Sequence, residues 1–221
     1  ATKLAGFLFF RVFSTKHDAR LDDVLSTTSG AFGFWFISFV WGWVVSLPHT
    51  VAAGVPVAAR PRVGMWGTVA SLSIFGAGFI LETLADVQKY MFKQNPANRG
   101  RFCDVGVWQI SQHPNYFGNL LVWTGILALN TPTLLATVGK PGLPALLKRC
   151  ARFLCGSASP IFMIVLFYAQ ATGALSKTVE LANAKYGADP NYQAYVRSTP
   201  LIVPSPVAML RAAREGGSGS K

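Results

Sequence analysis

Long apolar runs broken by short charged stretches set the organisation of this chain. An aromatic-rich run, Ala31 to Pro48, lies within the interval from Asp23 to Arg60; Arg62 and Glu82 enclose 19 uncharged residues, Tyr116 to Val138 adds 23, and Arg152 and Lys177 enclose 24. A helix rising about 1.5 Å per residue needs roughly 20 apolar residues to cross a hydrocarbon core, so each run is long enough. A fifth patch, Leu4 to Phe10, is too short to span alone and reads as the stub of a helix whose beginning is missing. Period-2 alternation is absent, and backbone groups in lipid must be satisfied internally, so helices are expected rather than barrel strands. The pattern predicts an all-α, polytopic transmembrane helix bundle of about four spans plus an N-terminal partial span. Ser73, Gly76, Ala77 and Gly78 are small enough to let a neighbouring helix approach closely, which points to one compact domain over residues 1–210. The closing GGSGSK reads by composition as part of a disordered tail, residues 211–221.

Composition agrees with that reading. The chain is 51% hydrophobic and 13% charged, against about 25% charged in ordinary soluble domains. Of the 20 Lys and Arg, fourteen fall on the N-terminal arm, the central loop and the tail; the other six are Arg60, Arg62, Lys140, Lys148, Arg149 and Arg152. Lys and Arg bias retention on the cytosolic, matrix or stromal face, so arm, central loop and C-terminus are expected together on that positive face. The net charge of +11 then reflects topology. The aromatics sit inside the spans, with no basic-aromatic platform for bases, so no nucleic-acid partner is expected. Membrane lipid and a lipid-soluble substrate are. Cys103, Cys150 and Cys155 form neither a CxxC pair nor a zinc quartet, and no metal or disulfide is assigned. The chain starts at Ala without signal-peptide architecture, which reads as a removed leader or absent upstream residues. A removed leader would imply a plastid or mitochondrial membrane; the endoplasmic reticulum is the other candidate.

The candidate chemistry gathers at three places. In FILETLADVQKYMFK, Glu82, Asp86, Lys89 and Lys93 recur at i+3 and i+4 and share one side of a helix. Such a stripe suits an interfacial helix end with snorkelling lysines, or a polar site. The stretch KQNPANRGR stops that helix at Asn95-Pro96 and presents Arg99 and Arg101 around Gly100. Lys93, Arg99 and Arg101 suit a dinucleotide's phosphates and, equally, anionic lipid headgroups. Trp108 reads as an interfacial anchor. Pro114 fits the first turn of the next span, so His113, Asn115, Tyr116 and Asn119 stand at its mouth, where free N–H groups favour an anionic or carbonyl ligand. Polar groups there are costly to bury and point to a lined cavity. In the tail, Glu180, Tyr186, Tyr192, Tyr195 and Arg197 fit either an amphipathic surface helix or a third wall of that cavity.

These strings resemble the steroid 5α-reductase C-terminal superfamily, in its uncharacterised multi-span branch. FLFFRVFSTKHDARLDD is similar to the family's arm, ETLADVQKYMFKQNPANRGRFCDVGVWQISQHPNYFGN to its signature, and YQAYVRSTPLIVPSP to its closing segment. The resemblance implies a helical membrane reductase taking hydride from NADPH to an activated carbon–carbon double bond of a sterol, enone or isoprenoid. By motif it implies that Glu82, Asp86 and Lys93 lie beside the nucleotide, with Arg99, Arg101 and Asp104 near phosphates and ribose and Asn98 among the cofactor-binding residues. His113, Asn115, Tyr116 and Asn119 fall toward the nicotinamide, and Glu180, Tyr195 and Arg197 close the pocket.

Two positions depart from the pattern. Gln112 stands where the family has Arg, and Asn119 where it has Glu. The first lacks a permanently charged fork and the second a carboxylate for the cofactor's amide. A second expectation therefore stands beside the reductase: a catalytically degenerate relative with a structural or lipid-holding role, a subunit of a larger organellar membrane complex that has lost its NADPH. Isoprenylcysteine carboxyl methyltransferases share the short HPxYxG feature but not PANRGRF.

Overall fold

The computed structural model describes Gly6 and residues 25–62, 64–175 and 178–218; the expected stub at Leu4 to Phe10 and most of the arm lie outside them. All regular structure among the described residues is helical: α1 (Thr28–Ala53), α2 (Met65–Gln94), α3 (Pro114–Leu134), α4 (Leu143–Ala171), α5 (Thr178–Tyr186), α6 (Pro190–Ser198) and α7 (Pro206–Ser218). Short 3₁₀ turns cover Val57–Ala59, Pro96–Asn98 and Gly106–Gln109. The chain divides into two compact units between Val44 and Val45. In the first, α1 exposes Phe32, Trp35, Phe36, Phe39 and Trp43. The last helix runs to Ser218, across residues that composition assigned to a disordered tail.

Helices α1, α2 and α4 are long and apolar enough to cross a membrane. The third expected span forms α3, but its polar interior keeps it outside that group. Thr124, Asn130 and Thr131 donate to the carbonyls of Leu120, Ile126 and Leu127 one turn back, at 2.7, 2.8 and 2.9 Å. It packs along α2 and against α4. Helix α4 begins at Leu143, well before the boundary its charges suggested. Arg152 does not end the span; its Nε donates to Leu134 O at 3.0 Å and its Nη2 to Ala136 O, capping α3.

Helix packing on α2 follows a seven-residue repeat. Ser71, Gly78, Ala85 and Phe92 are buried, one residue every two turns, which sets them in a single seam along the helix. Of the small residues expected to pack, only Gly78 lies on this seam; Ser73 and Ala77 are exposed, and a Cβ on Gly76 would meet nothing. On α3, Gly118 and Gly125 repeat the same spacing. A Cβ on Gly118 would stand 2.6 Å from Glu82 N, and one on Gly125 2.7 Å from Phe75 N. The two backbones approach each other where only hydrogen fits.

Candidate functional site

With 30 residues, α2 is about 45 Å long, whereas a hydrocarbon core is about 30 Å thick. Its last turns, bearing Asp86, Lys89 and Lys93, therefore extend past the apolar layer. The helix stops where the sequence predicts. Pro96 opens the next turn and Asn95 Oδ1 accepts from Ala97 N at 3.0 Å.

The loop then folds back on α2. Asn98 Nδ2 donates to Phe92 O at 3.0 Å, Lys93 Nζ to Arg101 O at 2.6 Å, and Val107 N to Gln88 Oε1 at 2.9 Å. Trp108 is not the interfacial anchor expected: it is buried with Ala85, Phe92 and Cys103. Its Nε1 donates to Ala85 O at 3.0 Å, and Lys89 Nζ lies 4.2 Å from its ring centroid. The apolar cluster drives this fold-back, since Trp108 finds a backbone acceptor for its N–H while its ring leaves water.

The tail is strapped to the same loop. Tyr195 Oη donates to Trp108 O at 2.8 Å, Gln112 N to Pro200 O at 2.9 Å, and Ser111 Oγ to Ile202 O at 2.7 Å. Gln112 Nε2 reaches Thr199 O at 2.7 Å and Val196 O at 3.0 Å. Phe102 inserts among three tail tyrosines, its ring centroid 5.2 Å from Tyr195, 5.3 Å from Tyr192 and 6.2 Å from Tyr186.

Between these segments lies a cavity of about 450 Å³, inside the range of roughly 300–1,000 Å³ typical of ligand sites. Its walls come from α2 (Lys89, Lys93), the loop (Phe102, Cys103, Trp108, Gln112, His113), the end of α4 (Ala171, Thr172), α5 and α6. Three segments distant in sequence thus share one hollow. Burial, reinforced by the Lys89 charge, pushes His113 down to about 4, so the imidazole is neutral at pH 7. Burial pushes Tyr195, Tyr192 and the Cys103 thiol up. Tyr186 goes the other way: burial alone would raise its phenol, but the Lys93 hydrogen bond and the Lys93 and Lys185 charges outweigh it.

Of the residues that the resemblance assigns to the nucleotide, Lys93, His113 and Tyr195 line the cavity. Tyr116 stands behind His113, stacked on it at 4.8 Å and on Phe167 at 4.5 Å. Asn98 and Arg101 hold the loop, with Arg101 3.5 Å from Asn98 Oδ1. Glu82 and Asn119 meet in the α2–α3 seam at 3.4 Å, and Asn119 Oδ1 accepts from Trp123 Nε1 at 2.9 Å. Asp86 is half-buried on α2 and does not line the cavity. Arg99, Glu180 and Arg197 are exposed and do not line it either; the tail enters instead through Tyr186, Tyr192 and Tyr195. Asp104 Oδ1 and Asn115 Oδ1 are buried without a hydrogen-bond partner among the described residues. A buried acceptor without a partner costs about 1–3 kcal/mol and marks a place where a donor is wanted. Phe102, Thr172, Thr178 and Asn183 also line the cavity, and the only signal for them is tertiary.

The family described as "Protein of unknown function (DUF1295)" matches residues 1–199. The chain belongs to this family. It is similar to a Delta(14)-sterol reductase of Methylotuvimicrobium alcaliphilum, 26% identical over 166 residues, covering 67% of this chain and 33% of the relative. It is also similar to a "Probable O-methyltransferase ustE" of Ustilaginoidea virens, 34% identical over 56 residues, 25% of this chain and 19% of the relative. The chain therefore spans about a third of the first and about a fifth of the second. No solved structure matches it. Three candidate spans and the likeness to a sterol reductase fit an integral membrane protein.

Proposed function

We propose that this chain is a membrane reductase of the steroid 5α-reductase type that binds NADPH and reduces an activated carbon–carbon double bond of a sterol, enone or isoprenoid lipid. The observation that carries the reading is the lysine-floored, aromatic-walled cavity at the end of α2, in a chain similar to a sterol reductase. The residues present fit a dinucleotide. Lys89 and Lys93 offer cations to phosphates, and Phe102 and Tyr192 offer ring faces. At about 450 Å³ the hollow takes one end of such a molecule, with Arg99 and Arg101 outside it for the remainder. When bound, NADPH supplies the hydride, while the protein orients the ring and excludes water. Neutral His113 can donate one N–H without carrying charge. The likeness to an O-methyltransferase is weaker support for that chemistry here, because a methyl-donating sulfonium is a cation and two lysines would repel it.

A second reading, a degenerate relative kept as a structural or lipid-holding subunit, has its own support. Gln112 and Asn119, the two departures from the family pattern, have side chains committed to protein hydrogen bonds. The decisive experiment is a titration of purified protein with NADPH by fluorescence or calorimetry, beside the Gln112→Arg, Asn119→Glu double variant. Saturable wild-type binding supports the reductase. Absent wild-type binding that appears in the double variant supports the degenerate subunit. The charge distribution supports placing the central loop and C-terminus on the cytosolic, matrix or stromal face of an organellar or endoplasmic reticulum membrane.

A further inference from the structure

The end of the bundle away from the cavity carries cations without counter-charge. The cavity lies at the end of α2, the start of α3 and the end of α4, so the start of α2, the end of α3 and the start of α4 share the other end. No Asp or Glu stands between Asp23 and Glu82 or between Asp104 and Glu180, the two intervals that supply that end. They bring to it Arg60, Arg62, Lys140, Lys148, Arg149 and Arg152. Two of these are committed, Arg60 to carbonyls that end α1 and Arg152 to carbonyls that end α3. Arg62, Lys140 and Lys148 are exposed and Arg149 is half-buried, and no described residue accepts a hydrogen bond from any of the four.

Helix α4 shows what these cations meet. Arg152 reaches the carbonyls at the end of α3, so the turns of α4 before it extend past that end. Those turns are apolar on one side: Leu143, Leu147 and Leu154 are exposed there, in line with Ile161 and Val165. From residue 143 to residue 165 the stripe is about 33 Å long, close to the roughly 30 Å of a hydrocarbon core. Lys148 and Arg149 fall on its two flanks, where their stems lie along the leucines and their heads reach toward the phosphate level. Trp66, 79% exposed in the first turn of α2, stands at the same end, as an interfacial anchor does. A zwitterionic headgroup brings a cation of its own, which finds no carboxylate here; an anionic headgroup brings only what these side chains need. We propose that this end of the bundle binds an anionic phospholipid through Lys140, Lys148 and Arg149, its acyl chains lying along the leucine stripe of α4. The lipid is held whether or not the cavity takes a nucleotide.

Native mass spectrometry of the detergent-solubilised full chain tests this, with phosphatidylglycerol and phosphatidylcholine of the same acyl chains supplied in equal amounts. Wild type is expected to retain phosphatidylglycerol in preference. Since one cation near an anionic surface is worth about fivefold in binding, the triple variant Lys140→Gln, Lys148→Gln, Arg149→Gln is expected to hold phosphatidylglycerol roughly 100-fold more weakly. A charge-matched triple at the cavity end, Arg99→Gln, Arg197→Gln, Arg214→Gln, all exposed, is expected to keep the preference. Circular dichroism of both variants separates lost binding from lost fold, and the wild-type preference is a test by itself. Equal retention of the two lipids by wild type overturns the site, as do equal losses in the two triples. Displacement of the lipid by millimolar inorganic phosphate overturns it in favour of a free-phosphate site. Undiminished phosphatidylglycerol retention in the first triple overturns it too, and leaves these cations to an acidic partner chain.

Discussion

At the scale of single residues, the site is built from side chains whose ordinary chemistry has been displaced by burial. His113 is the clearest. Its folded pKa of about 4 lies below the unfolded value of about 6.5, so between these the unfolded chain binds a proton that the folded chain refuses. Stability is therefore full above pH 6.5 and falls as pH drops toward 4, by up to about 3 kcal/mol. Thermal unfolding in detergent across that range is expected to show the loss in wild type and a flatter profile in His113→Gln. Glycines give the complementary prediction. A Cβ at Gly118 meets backbone on α2, Glu82 N at 2.6 Å and Gly78 O at 2.8 Å, which cannot rotate away. Gly118→Ala is expected to destabilise by about 1–3 kcal/mol or more through helix displacement. Gly76→Ala, with open space around it, is expected to leave the melting temperature unchanged or raise it.

At the scale of elements, arginines end helices. Arg152 caps α3 through Leu134 O and Ala136 O, and Arg60 caps α1 through Val55 O at 2.9 Å and Ala53 O at 3.0 Å. A cation there satisfies orphan carbonyls and meets the negative end of the helix dipole. Arg152→Met, which keeps the apolar stem, is expected to cost about 1–3 kcal/mol and to speed proteolysis in the segment after Leu134. These bonds also explain what could be read beforehand. The end of α2 was legible because Asn95 and Pro96 act locally. The start of α4 was not: a charge in an apolar run reads as a boundary unless a carbonyl from another helix takes it up. The small-residue stripe failed for a related reason. Composition shows that Ser73, Gly76, Ala77 and Gly78 are small, but only the partner's position reveals that Gly78 alone faces it.

At the scale of the molecule, the hollow depends on two fold-backs: the loop onto α2 and the tail onto the loop. Gathering of the central loop, the His113 mouth and the tyrosine-bearing tail was legible from their polarity within an oily chain, since such groups need a shared polar environment. Which residues would face inward was not. Glu180 and Arg197 point to solvent, while Phe102 and Tyr192 form wall, because the strap through Tyr195, Gln112 and Ser111 fixes the tail's rotation. Tyr195→Phe removes the 2.8 Å bond to Trp108 O and is expected to raise protease sensitivity between α6 and α7 while leaving total helix content by circular dichroism unchanged. Arg60 and Arg152, two of the six cations outside the arm, central loop and tail, serve as helix caps, so their positions are set by carbonyls they satisfy. The most direct test of the site as a nucleotide pocket is equilibrium titration of the folded, detergent-solubilised chain with NADPH, followed through protein-to-nicotinamide fluorescence. Saturable binding that weakens about tenfold or more in Lys89→Gln is expected; no saturation up to about 1 mM, a ceiling of roughly −4 kcal/mol, would contradict it.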